Sequence, residues 1–483
     1  MRELPVRLAV IGGGVSGLGT ARALIRLATA SGKPAEVSLF ESEARLGGRI
    51  RTENFQGSVV DLGAESLLAR SQETWALLSE LGLEEQTVQP GTTSAAIWNG
   101  KRLVPIPKGS ALGVPPHPWT FDVARAIGVP GALRAGLEPW LRHRRPDPDG
   151  PLGPFLRKRV GAAVFTRLVD PLLGGVYAGA ATQLSIGAAA PQLLQALDRD
   201  PSLLRGLRRG VPTAPTPTSP DRPTFISLRG GLGQLVSALA TDLPPGTVQL
   251  SSRVTGIHPA QEGRVSLAFA GRPSEEFDGV ALALPAPQAA ELVSELSGDL
   301  QSELRRQEWS SVATVTLSYQ ERALRAHSIG SGFLVPRSTR RVVTACTFMD
   351  QKWPHLKQPG LVLIRVSVGS AQDEGILGMD DTTIISAVHN SLRQMVPIDL
   401  RPDNALVQRW RPALPQYRSG QLGWRSEIDA KVSGLRNRVV LTGAAYDGVG
   451  IPACLQQATA AAGRLWQLTG APNSSNNQPS AGN

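Results

Sequence analysis

The residues best spaced for chemistry lie in Leu8–Leu27, "LAVIGGGVSGLGTARALIRL". Four apolar residues, Leu8 to Ile11, run into Gly12, Gly13 and Gly14, and an Ala/Leu-rich helical pattern starts near Val15. Strand, glycine turn and helix in this order suit a dinucleotide pyrophosphate. Gly12 permits the tight turn, Gly14 lets backbone approach the phosphates, and Gly17 lets the helix lie close to the strand. The helix N-terminus then points free N–H groups and its positive dipole end at the anion. A second strand, "EVSLFE", ends in Glu41, at the spacing of a carboxylate that accepts from a ribose 2'-hydroxyl. Its charge would repel a 2'-phosphate, which disfavours NADP and leaves FAD or NAD.

These residues need a scaffold, and length and composition bound it. At 483 residues, with 41% hydrophobic and 19% charged residues, the chain suits two or three globular domains. The two cysteines, Cys346 and Cys454, lie far apart, which points to a reducing compartment and offers neither a disulfide framework nor a thiolate metal site. Six scattered histidines form no HxxxH pair, so no metal is expected. No stretch reaches the roughly 18 apolar residues of a membrane span. The first strand starts almost at once, leaving no room for a signal peptide. The expectation is a cytoplasmic protein, with association at the inner membrane face left open.

The net charge of +10 is concentrated: residues 101–223 hold 17 Lys and Arg against 8 Asp and Glu. Runs such as "RHRR" (Arg142–Arg145), "RKR" (Arg157–Arg159) and "RGLRR" (Arg205–Arg209) suit anionic lipid or an acidic substrate, or else a plain solvated surface. No aromatic-interleaved nucleic-acid module accompanies them, so no nucleic-acid partner is expected.

Along the chain, residues 1–90 read as the first part of a dinucleotide domain, including "VVDLGAESLLAR" (Val59–Arg70). Residues 91–222 read as a mainly helical basic domain, a candidate for membrane docking. It ends in the Pro/Thr-rich "VPTAPTPTSPDRP" (Val211–Pro223), a linker or loop. Strand and helix patterns at 223–287 return to the dinucleotide domain. Residues 288–424 carry strands such as "SVATVTLSYQ" and suit a mixed-sheet substrate domain. Residues 425–470, with "NRVVLTGAAYDGVGIPAC", visit the dinucleotide domain a third time, and 471–483 is a polar, disordered tail. The fold class is α/β, with a Rossmann-like domain built from three chain segments.

The second glycine turn, Gly47 and Gly48 followed by Arg49, resembles the second fingerprint of the FAD-dependent amine-oxidase-like superfamily. Four further stretches are more specific: "VDPLLGGVYAGAATQLSIGAAAP" (Val169–Pro191), "KWPH" (Lys352–His355), "LPQYRSG" (Leu414–Gly420) and "GAAYDGVGIPAC" (Gly443–Cys454). Together they resemble the oxygen-dependent protoporphyrinogen/coproporphyrinogen oxidases of haem biosynthesis, over nearly the whole chain. The wording is most similar to Gram-positive and actinobacterial members, which implies coproporphyrinogen III as substrate.

The resemblance implies FAD contacts at Gly12, Gly13, Gly14, Val15, Ser16 and Gly17, at Glu41 and Ser42, at Arg49, and at Gly63, Ala64, Glu65 and Ser66. It also implies Val254 at the adenine, and Ala444, Val449, Gly450 and Ile451 at the flavin. It implies six-electron oxidation in three two-electron rounds, with O2 giving H2O2. Arg70, Tyr177 and Tyr417 are candidates for the substrate pocket; no residue is assigned as acid or base. Cys454 lies in the "IPAC" position rather than that of a flavin-linking cysteine, so non-covalent FAD is implied. Expected partners are the porphyrinogen, O2, a membrane surface and, transiently, other haem-pathway enzymes. Two positions depart from the family pattern: Gln421 where a His is expected, and Ala453 where many members have Asp. Alternatives from other classes are another flavin amine oxidase or desaturase, and a flavin-carrying docking protein without turnover.

Overall fold

The computed structural model describes residues 4–141, 144–210, 223–324 and 330–470; Arg142, most of the expected linker and the expected tail lie outside the described residues. By its contacts the chain divides into two compact units. The first gathers residues 1–48, 236–306 and 428–483; the second gathers 49–235 and 307–427.

The first unit is built on five strands: β1 (Val6–Ile11), β2 (Ala35–Phe40), β3 (Val248–Gln249), β4 (Gly279–Leu282) and β5 (Val439–Leu441). They lie side by side in the order β3-β2-β1-β4-β5, and every pairing is parallel. Register places Ile11 between Phe40 and Leu282, so β1, β2 and β4 end level. Leu8, Ala9 and Val10 are fully buried, as an unbroken apolar run requires in a parallel strand covered on both faces. Helix α1 (Val15–Ser31) stops at Gly32, whose left-handed φ of 67° ends the helix. Helix α2 (Ile451–Gly470) lies so close to α1 that a Cβ on Gly19 would sit 3.0 Å from Leu455 and 3.2 Å from Ala458. An antiparallel three-stranded sheet, Val254–Pro259, Val265–Phe269 and Arg272–Phe277, adds Phe269 and Phe277 edge-on to Phe40.

The second unit holds a seven-stranded mixed sheet. Its order is Asn404–Pro415, Trp309–Gln320, Leu361–Val368, Val343–Phe348, Gly332–Leu334, Ala96–Trp98 and Leu103–Pro105. All neighbours are antiparallel except Gly332–Leu334 beside Ala96–Trp98. One face packs a core around Val315, Leu317, Ile364, Val366 and the helix Asp381–Arg393.

The partition differs from the sequence reading. Residues 49–90 and 223–235, expected in the dinucleotide domain, fall in the second unit. The helical stretch expected as a domain of its own falls there too, and its first residues supply the last two strands of the mixed sheet, Leu103–Pro105 at the edge and Ala96–Trp98 beside it. Those strands have only three residues each, too short for an alternating pattern to show in sequence.

Candidate functional site

In the first unit the glycine loop is shaped by neighbours that leave no room for side chains. Gly12 has φ 110°, and a Cβ there would lie 2.6 Å from the Ala283 carbonyl oxygen. A Cβ on Gly17 would lie 1.8 Å from the Gly12 carbonyl oxygen. These two glycines are demanded by the protein's own packing. Gly14 is not: its Cβ would find only the Gly48 Cα, 4.0 Å away.

Gly14 is also the N-cap of α1, no side chain caps that terminus, and the first turn holds no acid. A helix N-terminus with no side-chain cap beside an open position fits a nucleotide pyrophosphate. The Glu41 carboxylate fixes the loop from beside it. Its Oε2 accepts from the Gly13 N–H at 2.6 Å, and its Oε1 accepts from the Glu43 N–H at 2.8 Å and the Ser42 hydroxyl at 3.1 Å.

The second glycine turn is tied to the first. The Gly47 N–H donates to the Gly13 carbonyl at 2.9 Å, with Gly47 and Gly48 both at positive φ. Arg45 braces the turn by donating to the Leu46 and Gly48 carbonyls at 3.2 and 3.0 Å. The chain leading into Val254 is anchored to the same place, because the Ser252 N–H donates to the Glu41 carbonyl at 2.8 Å. Val254 itself is buried.

The third segment arrives through β5 and the loop Gly443–Gly450. A Cβ on Gly443 would lie 3.5 Å from the Ser16 hydroxyl, and Ser16 hydrogen-bonds Cys454 in the first turn of α2. Gln457 clamps the loop by accepting from the Asp447 N–H and donating to the Gly448 carbonyl, both at 3.2 Å. Thus the loop Gly12–Gly17, Glu41 and Ser42, and the loop ending at Ile451 converge on two helix N-termini. Burial pushes the Cys454 thiol up to about 11, with the Ser16 hydrogen bond pulling weakly the other way, so it stays protonated at neutral pH.

In the second unit, Gly63 is locked by the chain that follows the second glycine turn. A Cβ there would sit 2.0 Å from the Arg49 carbonyl oxygen, and the Ala64 N–H donates to that oxygen at 3.4 Å. Glu65 is buried, with the Arg365 guanidinium 2.8 Å from Oε2 and the Lys352 ammonium on Oε1. Burial alone would raise its pKa, but Arg365, Lys352 and the Trp353 indole outweigh that and hold it below the ordinary carboxylate range. Arg365 also donates to the Asp61 and Gly63 carbonyls at 3.0 and 3.1 Å, so one guanidinium fixes the loop from both sides.

Asp61 behaves oppositely. Burial lifts its carboxyl from 3.8 to about 6, against weaker opposing hydrogen bonds from Thr52 and the Leu232 N–H. The candidate pocket residues Tyr177 and Tyr417 do meet, with ring centroids 5.7 Å apart at 51°. Burial pushes Tyr177 up to about 12. Arg70 is exposed, just after the short strand Leu67–Leu68.

Sequence reasoning missed Arg45, Lys352, Arg365 and Gln457. Arg45 lies two residues before Gly47 and Lys352 stands in "KWPH", so both were in view without a role. Arg365 stands alone in the apolar strand "LVLIRVSV", a signal of a buried partner that was open to reading.

The doubly glycine-braced dinucleotide loop, met by a second helix N-terminus, defines a class, and the chain belongs to it: residues 15–465 match the family described as flavin containing amine oxidoreductase. Among named relatives, coproporphyrinogen III oxidase of Bacillus subtilis is 32% identical, covering 94% of this chain and 96% of its own. The Mycobacterium leprae protein of the same name is 33% identical over 93% and 96%. A crystal structure from Exiguobacterium sp. 255-15, named as a candidate protoporphyrinogen oxidase, superposes with a TM-score of 0.84 at 30% identity, covering 95% of this chain and 98% of that one. A putrescine oxidase with bound putrescine shares the fold at a TM-score of 0.66 and 17% identity, covering 95% and 98%. The protein is therefore a flavin-dependent oxidoreductase by family. Among the described residues no helix is long and apolar enough to cross a membrane, and no cluster of His, Cys, Asp and Glu could hold a metal ion.

Proposed function

We propose that this protein binds FAD non-covalently and oxidises coproporphyrinogen III to coproporphyrin III with O2 as acceptor. The observation that carries the substrate class is similarity along nearly the whole chain to relatives named coproporphyrinogen III oxidase from three genera. The geometry supports the cofactor. Backbone N–H groups of Gly14–Gly17 would hold the pyrophosphate, Glu41 and Ser42 the ribose, and Val254 the adenine. Ala444 and Val449–Ile451 would line the flavin, and Arg49 and Gly63–Ser66 are further candidate contacts. The buried, protonated and hydrogen-bonded Cys454 offers no thiolate for a covalent link.

When bound, the flavin takes two electrons per round as hydride and passes them to O2, giving H2O2. A porphyrinogen loses six hydrogens on becoming a porphyrin, so three rounds complete the reaction. The chain's own residues bind and orient. The α1 and α2 N-termini direct positive dipole ends at anionic groups, and Tyr177 and Tyr417 wall an apolar pocket for the macrocycle. Arg70 is the candidate partner for a propionate.

The relative from rice named chloroplastic protoporphyrinogen oxidase, 30% identical over 94% of this chain, favours a second reading in which protoporphyrinogen IX is the substrate. Comparing initial rates on the two anaerobically prepared porphyrinogens by porphyrin fluorescence, with oxygen admitted at the start, separates the two. Higher efficiency on coproporphyrinogen III is expected; equal or higher efficiency on protoporphyrinogen IX overturns the substrate choice. Acid precipitation should leave flavin in the supernatant, and flavin in the pellet overturns non-covalent binding.

A further inference from the structure

The second unit holds a cavity of about 290 Å³ that neither the glycine loops nor the tyrosine pair line. Three stretches far apart in sequence supply most of its wall: the hairpin of Ala96–Trp98 and Leu103–Pro105, the turn Thr166–Leu168, and the turn Pro336–Thr339. Trp98, Val104 and Leu168 give it apolar sides and are themselves at most 5% exposed. At that size it takes a molecule of one ring or two fused rings, not a tetrapyrrole. Residues Phe165–Val169 form a π-helical turn, in which the Asp170 N–H reaches back five residues to the Phe165 carbonyl. Widened turns of this kind recur at functional sites, and here the consecutive residues Thr166, Arg167 and Leu168 all line the cavity.

The polar groups on this wall are left wanting acceptors. The Trp98 indole N–H is buried and finds no hydrogen-bond partner, an uncompensated cost in a well-packed fold. Among the described residues no carboxylate pairs with the Arg167 guanidinium, and no Asp or Glu lines the cavity. The Thr166 and Thr339 hydroxyls spend their protons on the Ala162 and Pro336 carbonyls, at 2.8 and 2.7 Å. An indole N–H and a guanidinium can only donate. What completes them is an anionic acceptor, and the fork of a guanidinium matches a carboxylate. The Trp98 ring beside them offers packing to a flat ring.

We propose that this cavity is a second ligand site, sharing no residue with the proposed cofactor and macrocycle contacts. It takes a small flat-ring carboxylate: an aromatic ring on a short acid side chain, of the size of indole-3-propionate. The carboxylate meets Arg167 and the Trp98 N–H, and the ring lies between Val104 and Leu168. The π turn continues without a break into the helix Asp170–Tyr177, so an occupant braces the element that carries Tyr177. The site goes beyond the porphyrinogen reading and stands without it.

The probe is indole-3-propionate, titrated into the flavin-loaded full chain and followed by NMR saturation transfer, with indole-3-propionamide as the neutral control. The acid is expected to bind with a Kd of about 1 mM or tighter, the range an efficient ligand of this size reaches, and to raise the thermal midpoint. The amide, and the acid on Arg167→Gln, should each bind about tenfold more weakly, as loss of a charge-assisted hydrogen bond requires. Trp98→Phe, which keeps a ring and removes the N–H, should weaken the acid by about threefold. Arg167→Lys should restore part of the loss. Because Arg167 is exposed, the Gln variant keeps the fold, and its thermal midpoint without ligand checks this. Absence of wild-type binding, or equal binding of the acid by wild type and Arg167→Gln, overturns the proposal. So does displacement of the acid by coproporphyrin III, which would assign the cavity to the macrocycle seat.

Discussion

The glycine loop of the first unit and the Glu65 loop of the second are stabilised over very different distances along the chain. The glycine loop closes mainly on near neighbours, Gly17 on Gly12 and Gly13 on Glu41, 28 positions away, although Gly12 also meets the distant Ala283 carbonyl oxygen. The Glu65 loop takes its shape from distant cations, Arg365 on the strand Leu361–Val368 and Lys352 at the end of the short helix Met349–Lys352, the latter 287 positions away. The first is steric and backbone-driven, so a spacing rule describes it. The second is electrostatic and depends on how the whole second unit packs. Perturbing the first should abolish binding at a point; perturbing the second should spread into stability.

The largest expected effect is Gly17→Val. Its Cβ would fall 1.8 Å from a backbone oxygen that cannot move without breaking β1 from α1. Flavin retention after purification should fall to background, and the absorbance ratio of flavin to protein measures it. Full occupancy would break the assignment of this loop as the nucleotide seat.

Next is Arg365→Gln, which leaves Glu65 buried beside Lys352 alone and frees the Asp61 and Gly63 carbonyls. Breaking a buried pair from one side costs about 3–5 kcal/mol, so a clear drop in thermal midpoint is expected. Arg365→Lys should recover only part, since an ammonium cannot repeat the guanidinium's several fixed donors. Unchanged stability in the Gln variant would mean the Glu65 loop is as locally determined as the glycine loop.

The contrast marks what the sequence made legible. Strand β1, helix α1, the second strand running to Glu41 and the return of the chain at "NRVVLTGAAYDGVGIPAC" could be read because parallel strands bury unbroken apolar runs and the glycines answer local sterics. The boundary at Gly48–Arg49 could not, because nothing in "LGGRI" signals that the next residues pack with a distant sheet. The two three-residue strands at 96–105 were missed because the pairing of Ala96–Trp98 with Gly332–Leu334, which anchors them both, is set by tertiary contact. The helix Val129–Gly136 buries Ala132 and Ala135 and turns Val129 and Leu133 to solvent, which its ordinary amphipathic spacing hides; only the fold shows which side faces out.

Two carboxylates within the same loop sharpen the contrast further through their opposite response to pH. Asp61 has its folded pKa raised from 3.8 to about 6, so the folded state holds the proton more tightly. Its contribution is present below the unfolded value and is lost as pH rises through about 6, a change of about 3 kcal/mol. Glu65 has its folded pKa lowered from 4.5, so its contribution is present above that value and lost on acidification. Chemical denaturation across pH 4 to 7 should show wild type losing stability relative to Asp61→Asn as pH rises, then levelling. A flat difference would show that Asp61 titrates normally.

The smallest effect is expected at Gln457, because its two hydrogen bonds are local and partly exposed. It holds the Asp447 N–H and the Gly448 carbonyl ahead of α2, the latter together with the Cys454 thiol. Gln457→Met keeps the helix propensity and bulk but removes both bonds, each worth about 1 kcal/mol. Global stability should change little, since α2 remains packed on α1 through Leu455 and Ala458. Flavin affinity should weaken by about tenfold, measured by titrating FAD into protein stripped of flavin and following the quench of flavin fluorescence. Loss of global stability with affinity intact would instead make Gln457 a helix anchor, and would place the third visit of the chain on the side of scaffold rather than cofactor seat.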